Sequence, residues 1–182
     1  SSLIEASNRM DDLARRQERA VRASVLEQAL AMRRERHDAE LGARIAGFGM
    51  SFDEELRVSV FRPLRAPAEE KRHAFFDSLH GSLTRVLTTT GVPHLISVRG
   101  DAVVVLSQCS VGAMQRMLVA NAEFLPSVHV GIGRTVAAVG DVADSSTDAH
   151  LAVRTLRRLA STQRVMSYED FDFATRLFAD VG

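Results

Sequence analysis

The chain has 182 residues, of which 46% are hydrophobic and 25% charged, so it can bury one sizeable core and is too apolar to be disordered. Its 23 basic and 23 acidic residues balance, so it lacks the positive field with which proteins bind nucleic acids non-specifically. The single cysteine, Cys109, excludes an internal disulfide, and no apolar run is long enough to span a bilayer. These features predict a cytoplasmic protein with no membrane partner.

The first 32 residues predict one long, highly charged helix, because they contain neither glycine nor proline. A seam of apolar side chains recurs along it at heptad spacing: Leu3, Ala6, Met10, Leu13 and Ala20. The seam is thin for so long a helix, so a single small domain would leave it uncovered. This favours a homodimer in which the helix pairs with its copy. The alternative is an ordinary helix lying across the surface of its own domain.

A second helix and a first strand follow the charged segment around residue 35. Leu41, Ile45 and Phe48 recur at helical spacing, and Gly49 follows where a C-terminal cap is expected. Residues 56–61 then alternate between apolar and other side chains, which is typical of a strand, and the pattern stops at Pro63.

A third helix is predicted from about Pro67 to Gly91, because a proline and two acidic residues open it favourably. Its apolar stripe consists of Phe76, Leu79, Leu83, Val86 and Leu87. Residues 93–108 then predict a hairpin that turns at Arg99, Gly100 and Asp101. Its second strand is an unbroken apolar run, which favours burial on both faces. We therefore expect a central hairpin.

Ser110 is a suitable cap for a fourth helix, with Met114, Leu118 and Leu125 facing inward until Pro126. The segment from Val128 to Arg134 alternates like a strand, and its two glycines, Gly131 and Gly133, would let another element approach closely.

The order strand, helix, strand, strand, helix, strand predicts an α+β fold with a ferredoxin-like βαββαβ core and both of its helices on one face. Beyond it, Ser145 and Ser146 are expected to cap a helix over residues 148–160 whose inner face ends at Leu159. A short strand over residues 164–168 and a last helix from Phe171 to Phe178 complete an α-β extension, as in nucleotidyl-cyclase domains.

Three short motifs make the resemblance specific. They are Val130-Gly131-Ile132-Gly133-Arg134, then Ser145-Ser146-Thr147-Asp148-Ala149, then Tyr168-Glu169-Asp170. In order and spacing this succession resembles the GGDEF-like domain of PucR/CdaR-type bacterial transcriptional regulators. One departure is Ser146, where that family often has tyrosine. The similarity extends from about Leu26 to the end of the chain.

The resemblance implies a module within a transcription regulator. We expect N-terminal signalling and dimerisation helices over residues 1–50 and the GGDEF-like domain over residues 51–182. An upstream sensor domain and a downstream helix-turn-helix would be its partners in the parent chain. DNA would be bound only through that helix-turn-helix.

The hairpin turn indicates that the chain is not an enzyme. An active diguanylate cyclase has a glycine pair and two adjacent acids at this turn, and it holds two metal ions with carboxylates. Here the turn reads Arg99-Gly100-Asp101-Ala102, and the first strand leaves through Arg62 and Arg65, where such a cyclase has a metal-binding acid. We therefore expect no catalytic residue, no metal and no cofactor.

Three functions are compatible with this sequence. The first is a non-catalytic module that dimerises and relays a signal from the sensor to the DNA-binding domain. The second is a ligand-sensing module that binds a nucleotide or small metabolite in a vestigial pocket formed by Arg62, Arg65, Arg99 and Asp101. The third, a residual enzyme, is disfavoured by the missing carboxylates.

Overall fold

The structure, a computed structural model, describes residues 2–33, 38–159 and 162–170. Its helices are α1 (Ser2–Leu30), α2 (Ala39–Gly47), α3 (Arg72–Thr89), α4 (Val111–Ala120) and α5 (Val142–Arg158). Its strands are β1 (Arg57–Pro63), β2 (His94–Arg99), β3 (Ala102–Ser107), β4 (Val128–Thr135) and β5 (Val165–Ser167). Single 3-10 turns, Glu69–Lys71 and Val139–Asp141, lead into α3 and α5. The predicted helix Phe171–Phe178 lies outside the described residues.

The five strands form one sheet in the order β2-β3-β1-β4-β5. Neighbours among the first four run antiparallel, whereas β5 runs parallel to β4. The first four strands have the order of a ferredoxin-like βαββαβ core, and α5 with β5 forms the expected extension. The predicted α+β fold class is confirmed.

The hairpin forms as predicted, but it is not central. Arg99 pairs with Ala102, which leaves Gly100 and Asp101 as a two-residue turn. Gly100 has φ +59°, a left-handed conformation that costs glycine little. β3 is an inner strand with all six residues buried, whereas β2 forms an edge of the sheet. The apolar run therefore marks only the second strand of the hairpin as interior.

Helices cover both faces of the sheet. Successive side chains of a strand point to opposite faces, so Val58 and Val60 of β1 join one core cluster and Phe61 joins the other. The cluster around Phe61 contains the inner faces of α3 and α4, as the ferredoxin-like pattern predicts. The cluster around Val58 contains residues of α1, α2 and α5.

The predicted close approach at the two glycines of β4 is confirmed, and the approaching element is α5. A Cβ atom added at Gly131 would lie 1.9 Å from the carbonyl oxygen of Ala149, and one at Gly133 would lie 1.9 Å from that of Ser145. The obstacles are backbone atoms, which cannot rotate away as a side chain can. Only glycine fits at these two positions of β4.

The boundaries of α4 and α5 differ from the prediction. α5 begins at Val142, so Ser145 and Ser146 lie inside the helix and do not cap it. The start was misplaced because serine favours helix caps in general, whereas the hydroxyl of Ser145 bonds to the sheet. Leu159 follows the last residue of α5 and is exposed, not buried. α4 ends at Ala120, so Leu125 packs from the loop beyond it.

α1 has two distinct parts. Residues 2–21 are all exposed, whereas Val25, Leu26 and Ala29 are fully buried in the cluster with α2 and α5. The C-terminal turns of α1 are thus part of the domain core. The predicted single long helix is confirmed, and the end that carries the seam extends away from that core contact.

We predict that Gly131→Ala lowers the free energy of unfolding by about 3 kcal/mol or more, because α5 must move off β4 to admit the methyl group. Gly47→Ala in α2 is the matched control, since its new methyl group meets no atom within 4 Å. It should be neutral or stabilise by up to about 1 kcal/mol. Urea denaturation of the three proteins measures the difference, and equal midpoints for the two variants would contradict the packing described here.

Candidate functional site

The hairpin turn and the end of β1 meet at one end of the sheet, which we call the rim. Phe61 of β1 pairs with Val103 of β3, so the residue after Phe61 lies beside the turn. The rim comprises the four residues that the sequence singled out: Arg62, Arg65, Arg99 and Asp101. The structure brings Arg62 into contact with Asp101. Arg99 is exposed at the base of the turn, where it pairs with Ala102, and Arg65 is exposed two residues beyond the end of β1.

The carboxylate of the turn is already paired with an arginine. Nη2 of Arg62 forms a salt bridge with Oδ2 of Asp101. Nη2 of Arg72, at the start of α3, donates a hydrogen bond of 2.7 Å to the carbonyl oxygen of Gly100. Two guanidinium groups from two different elements therefore hold the turn in place.

The chemistry of the rim opposes a divalent cation. Magnesium requires an octahedron of oxygen ligands, and the rim offers one carboxylate beside three guanidinium groups. Among residues 2–33, 38–159 and 162–170, no three His, Cys, Asp or Glu side chains lie close enough to share a metal ion. A cation placed next to Asp101 would also be repelled by Arg62.

His150 of α5 responds to the positive charge of the rim. Burial, and then the neighbouring Arg62, lower the pKa of its imidazole, with smaller contributions of the same sign from Arg154 and Arg99. Asp101 opposes this effect and does not overcome it. Burial is thus the main cause of this shift, and the arginines of the rim add to it.

Most of the family-motif residues lie toward the opposite end of the sheet, around the last residues of β4, where they join elements of the fold. Sequence reasoning did not single out Arg57 of β1. This residue is 7% exposed and bonds to three other segments of the chain. It donates hydrogen bonds to the carbonyl oxygen of Gly133 at 2.9 Å, to Oε1 of Glu55 at 2.8 Å and to Oε1 of Glu169 at 2.7 Å. Burial is the largest single influence on Glu169 and opposes its charge, but the bond and charge of Arg57, together with hydrogen bonds from its own backbone and from Ser167, outweigh burial and lower the pKa of that carboxyl group.

The hydroxyl of Ser145 supplies a hydrogen-bond partner where the pairing of β1 with β4 is irregular. The pairing of β1 with β4 shifts register between Arg57 and Ser59, which leaves the backbone N–H of Val58 without a ladder partner on β4. That N–H donates to Oγ of Ser145 at 3.1 Å, and the same hydroxyl donates to the carbonyl oxygen of Arg134 at 2.7 Å. The motif serine therefore bonds α5 to both strands.

Arg134 and Asp170 complete this structural network. Arg134 forms a bidentate pair with Asp148, with bonds of 2.5 and 3.1 Å, and its guanidinium lies 4.8 Å from the ring centre of Tyr168. Asp170 accepts bonds from the backbone N–H and the hydroxyl of Ser167. Both residues belong to the motifs noted in the sequence, but their separation across a strand-to-helix connection gave no signal that Arg134 and Asp148 form a pair.

The seam and the domain contact lie on opposite sides of α1. At about 100° per residue, the direction of Leu13 is roughly opposite to that of Leu26 around the helix axis. Leu26 is buried in the domain, whereas Leu3 is 84% and Leu13 is 62% exposed. Met10 and the two seam alanines, Ala6 and Ala20, are also exposed. The domain therefore leaves the predicted pairing surface of α1 free.

A groove of about 860 Å³ lies between α1 and α3 beside the edge strand β2, and sequence reasoning did not predict it. Arg19 of α1 forms a salt bridge of 2.7 Å with Asp77 of α3. Arg22 donates a hydrogen bond of 3.0 Å to the carbonyl oxygen of His94 in β2. These long-range contacts form the groove, and no local sequence pattern reports them.

His80 of α3 lines this groove and is 7% exposed. Burial, and then the positive charge of Arg19, lower its pKa to about 4. The imidazole is therefore neutral at pH 7. Its Nε2 atom has no hydrogen-bond partner among the described residues, and neither does Oγ1 of Thr84 one helical turn further along.

We predict that His80 makes folding sensitive to acid between about pH 6.5 and pH 4. Below pH 6.5 the unfolded chain takes up a proton that the folded state does not accept until about pH 4, so stability falls with pH across this window. From pH 7 to pH 5 the loss due to His80 alone is about 2 kcal/mol.

Guanidinium denaturation at the two pH values tests this prediction. His80→Gln should remove most of that loss, because it removes the group that titrates. His73→Gln is the matched control, since His73 lies exposed on the same helix. If wild type and His80→Gln lost the same stability on acidification, the assignment would be wrong.

None of the helices in the described ranges is both long and apolar enough to cross a membrane. No curated protein matches the chain. A family model, GGDEF-like domain, matches residues 32–155, more than half of the chain. The matched range includes the rim and both glycines of β4, and it ends before Tyr168. The chain therefore belongs to the GGDEF-like domain family.

Proposed function

We propose that the chain is a non-catalytic module that dimerises and relays a signal in a transcriptional regulator of the PucR/CdaR type. The observation that carries this proposal is the two-sided character of α1. One side of the helix is built into the domain core at Leu26, and the other carries the uncovered seam. A helix of this kind can transmit a change at its free end to the sheet.

The seam fits a second copy of the same helix. Leu3, Met10 and Leu13 are large apolar side chains that water surrounds in a single chain. Pairing two such helices buries these side chains against each other at about 0.8 kcal/mol per buried CH₂ group. A parallel pair suits the relay, because both chains then carry the signal in the same direction.

The proposed signal relay rests on the way the C-terminal end of α1 is packed into the domain core. Val25, Leu26 and Ala29 share one core cluster with α5, and α5 contacts β4 through backbone atoms at the glycines. Close-packed contacts of this kind switch between discrete arrangements and do not deform gradually. A shift between the paired helices would reach the DNA-binding module through these elements.

The lack of catalysis follows from the rim. Cyclisation of nucleotides requires metal ions held by carboxylates, and the only acid of the turn, Asp101, is paired with Arg62. The same pairing argues against a ligand in the vestigial pocket, because each partner already neutralises the other. We therefore rank the ligand-sensing alternative at the rim below the relay function.

We predict that the chain is a dimer and that the double variant Met10→Glu, Leu13→Glu is a monomer. Four like charges would then meet along the seam, which should raise the dissociation constant at least about 100-fold. Removing residues 1–14 should have the same effect and leave Val25, Leu26 and Ala29 in the core. Sedimentation velocity measures the association.

Val119→Glu is the matched control, because Val119 is an equally exposed apolar side chain on α4. It should sediment as wild type does. A double variant that still dimerises with wild-type affinity would exclude the seam as the interface.

We predict that the chain forms no cyclic dinucleotide from GTP with Mg²⁺ or Mn²⁺, because a guanidinium stands where the metal would bind. An active diguanylate cyclase assayed in parallel gives the detection limit. Asp101→Asn is the second control, since it removes the last acid of the turn. Product that forms in proportion to wild-type protein and disappears in Asp101→Asn would refute the proposal.

A further inference from the structure

We propose that the groove between α1 and α3 binds a small organic anion with an apolar body. Its volume of about 860 Å³ is in the range of small-molecule sites. It lies on the side of α1 opposite the seam, so this inference does not depend on the relay function or on dimerisation. It is also a separate place from the rim.

The charge of the groove selects an anion. Four arginines line it, Arg15, Arg19 and Arg22 from α1 and Arg85 from α3, against one acidic residue, Glu18. Arg22 bonds with Glu18, and Arg19 pairs with Asp77 outside the lining. Arg15 and Arg85 have no ion pair in the described part of the chain; the guanidinium of Arg85 lies 5.9 Å from the ring centre of Phe124, which does not neutralise its charge. Both charges are therefore available to a carboxylate, sulfonate or phosphate.

The remaining lining favours an apolar body on that anion. Ile96 of β2 lies in the groove, and Gly81 of α3 leaves its wall open because it has no side chain. The arginines also contribute their apolar stems. A planar or branched hydrocarbon group would fit against this surface while its charged group meets the guanidinium groups.

Two buried polar atoms beneath the groove favour a ligand that can also form a hydrogen bond. Nε2 of His80 and Oγ1 of Thr84 have no hydrogen-bond partner in the described residues, and a buried polar atom without a partner is unfavourable. A ligand that carries a hydroxyl or amide group and displaces a lining side chain would supply the missing hydrogen-bond partner. The preferred ligand is therefore an anion at one end and has a hydrogen-bonding group on its apolar end.

The fluorescent probe 8-anilinonaphthalene-1-sulfonate tests the site, because it is an anion with an aromatic body. We expect one saturable site per chain. Gly81→Leu fills the groove and should weaken binding about tenfold or more. Gly47→Leu is the matched control, since Gly47 is likewise an exposed helical glycine but lies on α2. This variant should bind the probe as wild type does.

The neutral analogue N-phenyl-1-naphthylamine tests the role of charge. The double variant Arg15→Gln, Arg85→Gln should weaken the sulfonate about fivefold or more and leave the neutral analogue unchanged. Arg154→Gln with Arg158→Gln, on the exposed face of α5, is the control pair.

Equal sulfonate binding by Gly81→Leu and Gly47→Leu, or no saturable binding by wild type, would overturn the site. Equal effects of both arginine pairs would overturn its preference for anions.

Discussion

The burial of Val25, Leu26 and Ala29 beside α5 is the contact on which the other features depend. It makes the end of a long, charged helix part of the domain core, so α1 cannot turn without disturbing the sheet face beneath it. The same contact fixes which side of α1 faces the domain, and therefore which side carries the free seam. It also sets α1 beside α3, so that the groove can form between them.

The two ends of the sheet have different roles in this domain. At one end, Arg57, Ser145 and Arg134 join β1, β4 and α5 through bonds that the fold itself requires. At the other end, Arg62 and Asp101 form the pair that we propose replaces metal binding. Family-motif residues therefore maintain the architecture at one end, while the other end carries an arginine–aspartate pair at the hairpin turn.

Much of the fold could be predicted because its signals are local. The turn at Gly100, the buried run of β3 and the two glycines of β4 each lie within a few residues of sequence. The start of α5 was misplaced because Ser145 uses its hydroxyl for a contact 87 residues away in the chain. The pair of Arg62 with Asp101 and the groove under Arg19 and Arg22 likewise depend on long-range packing. Propensity and periodicity describe one element at a time and could not reveal them.

The most direct test of the account is disulfide cross-linking along α1 in a Cys109→Ser background. Leu3→Cys and Leu13→Cys should each form a symmetric disulfide under mild oxidation, because a parallel pair brings identical seam positions together. Asp11→Cys, on the side of α1 that faces away from the seam, should remain a monomeric thiol. Efficient cross-linking of Asp11→Cys without cross-linking at either seam position would contradict the proposed pairing of the two helices.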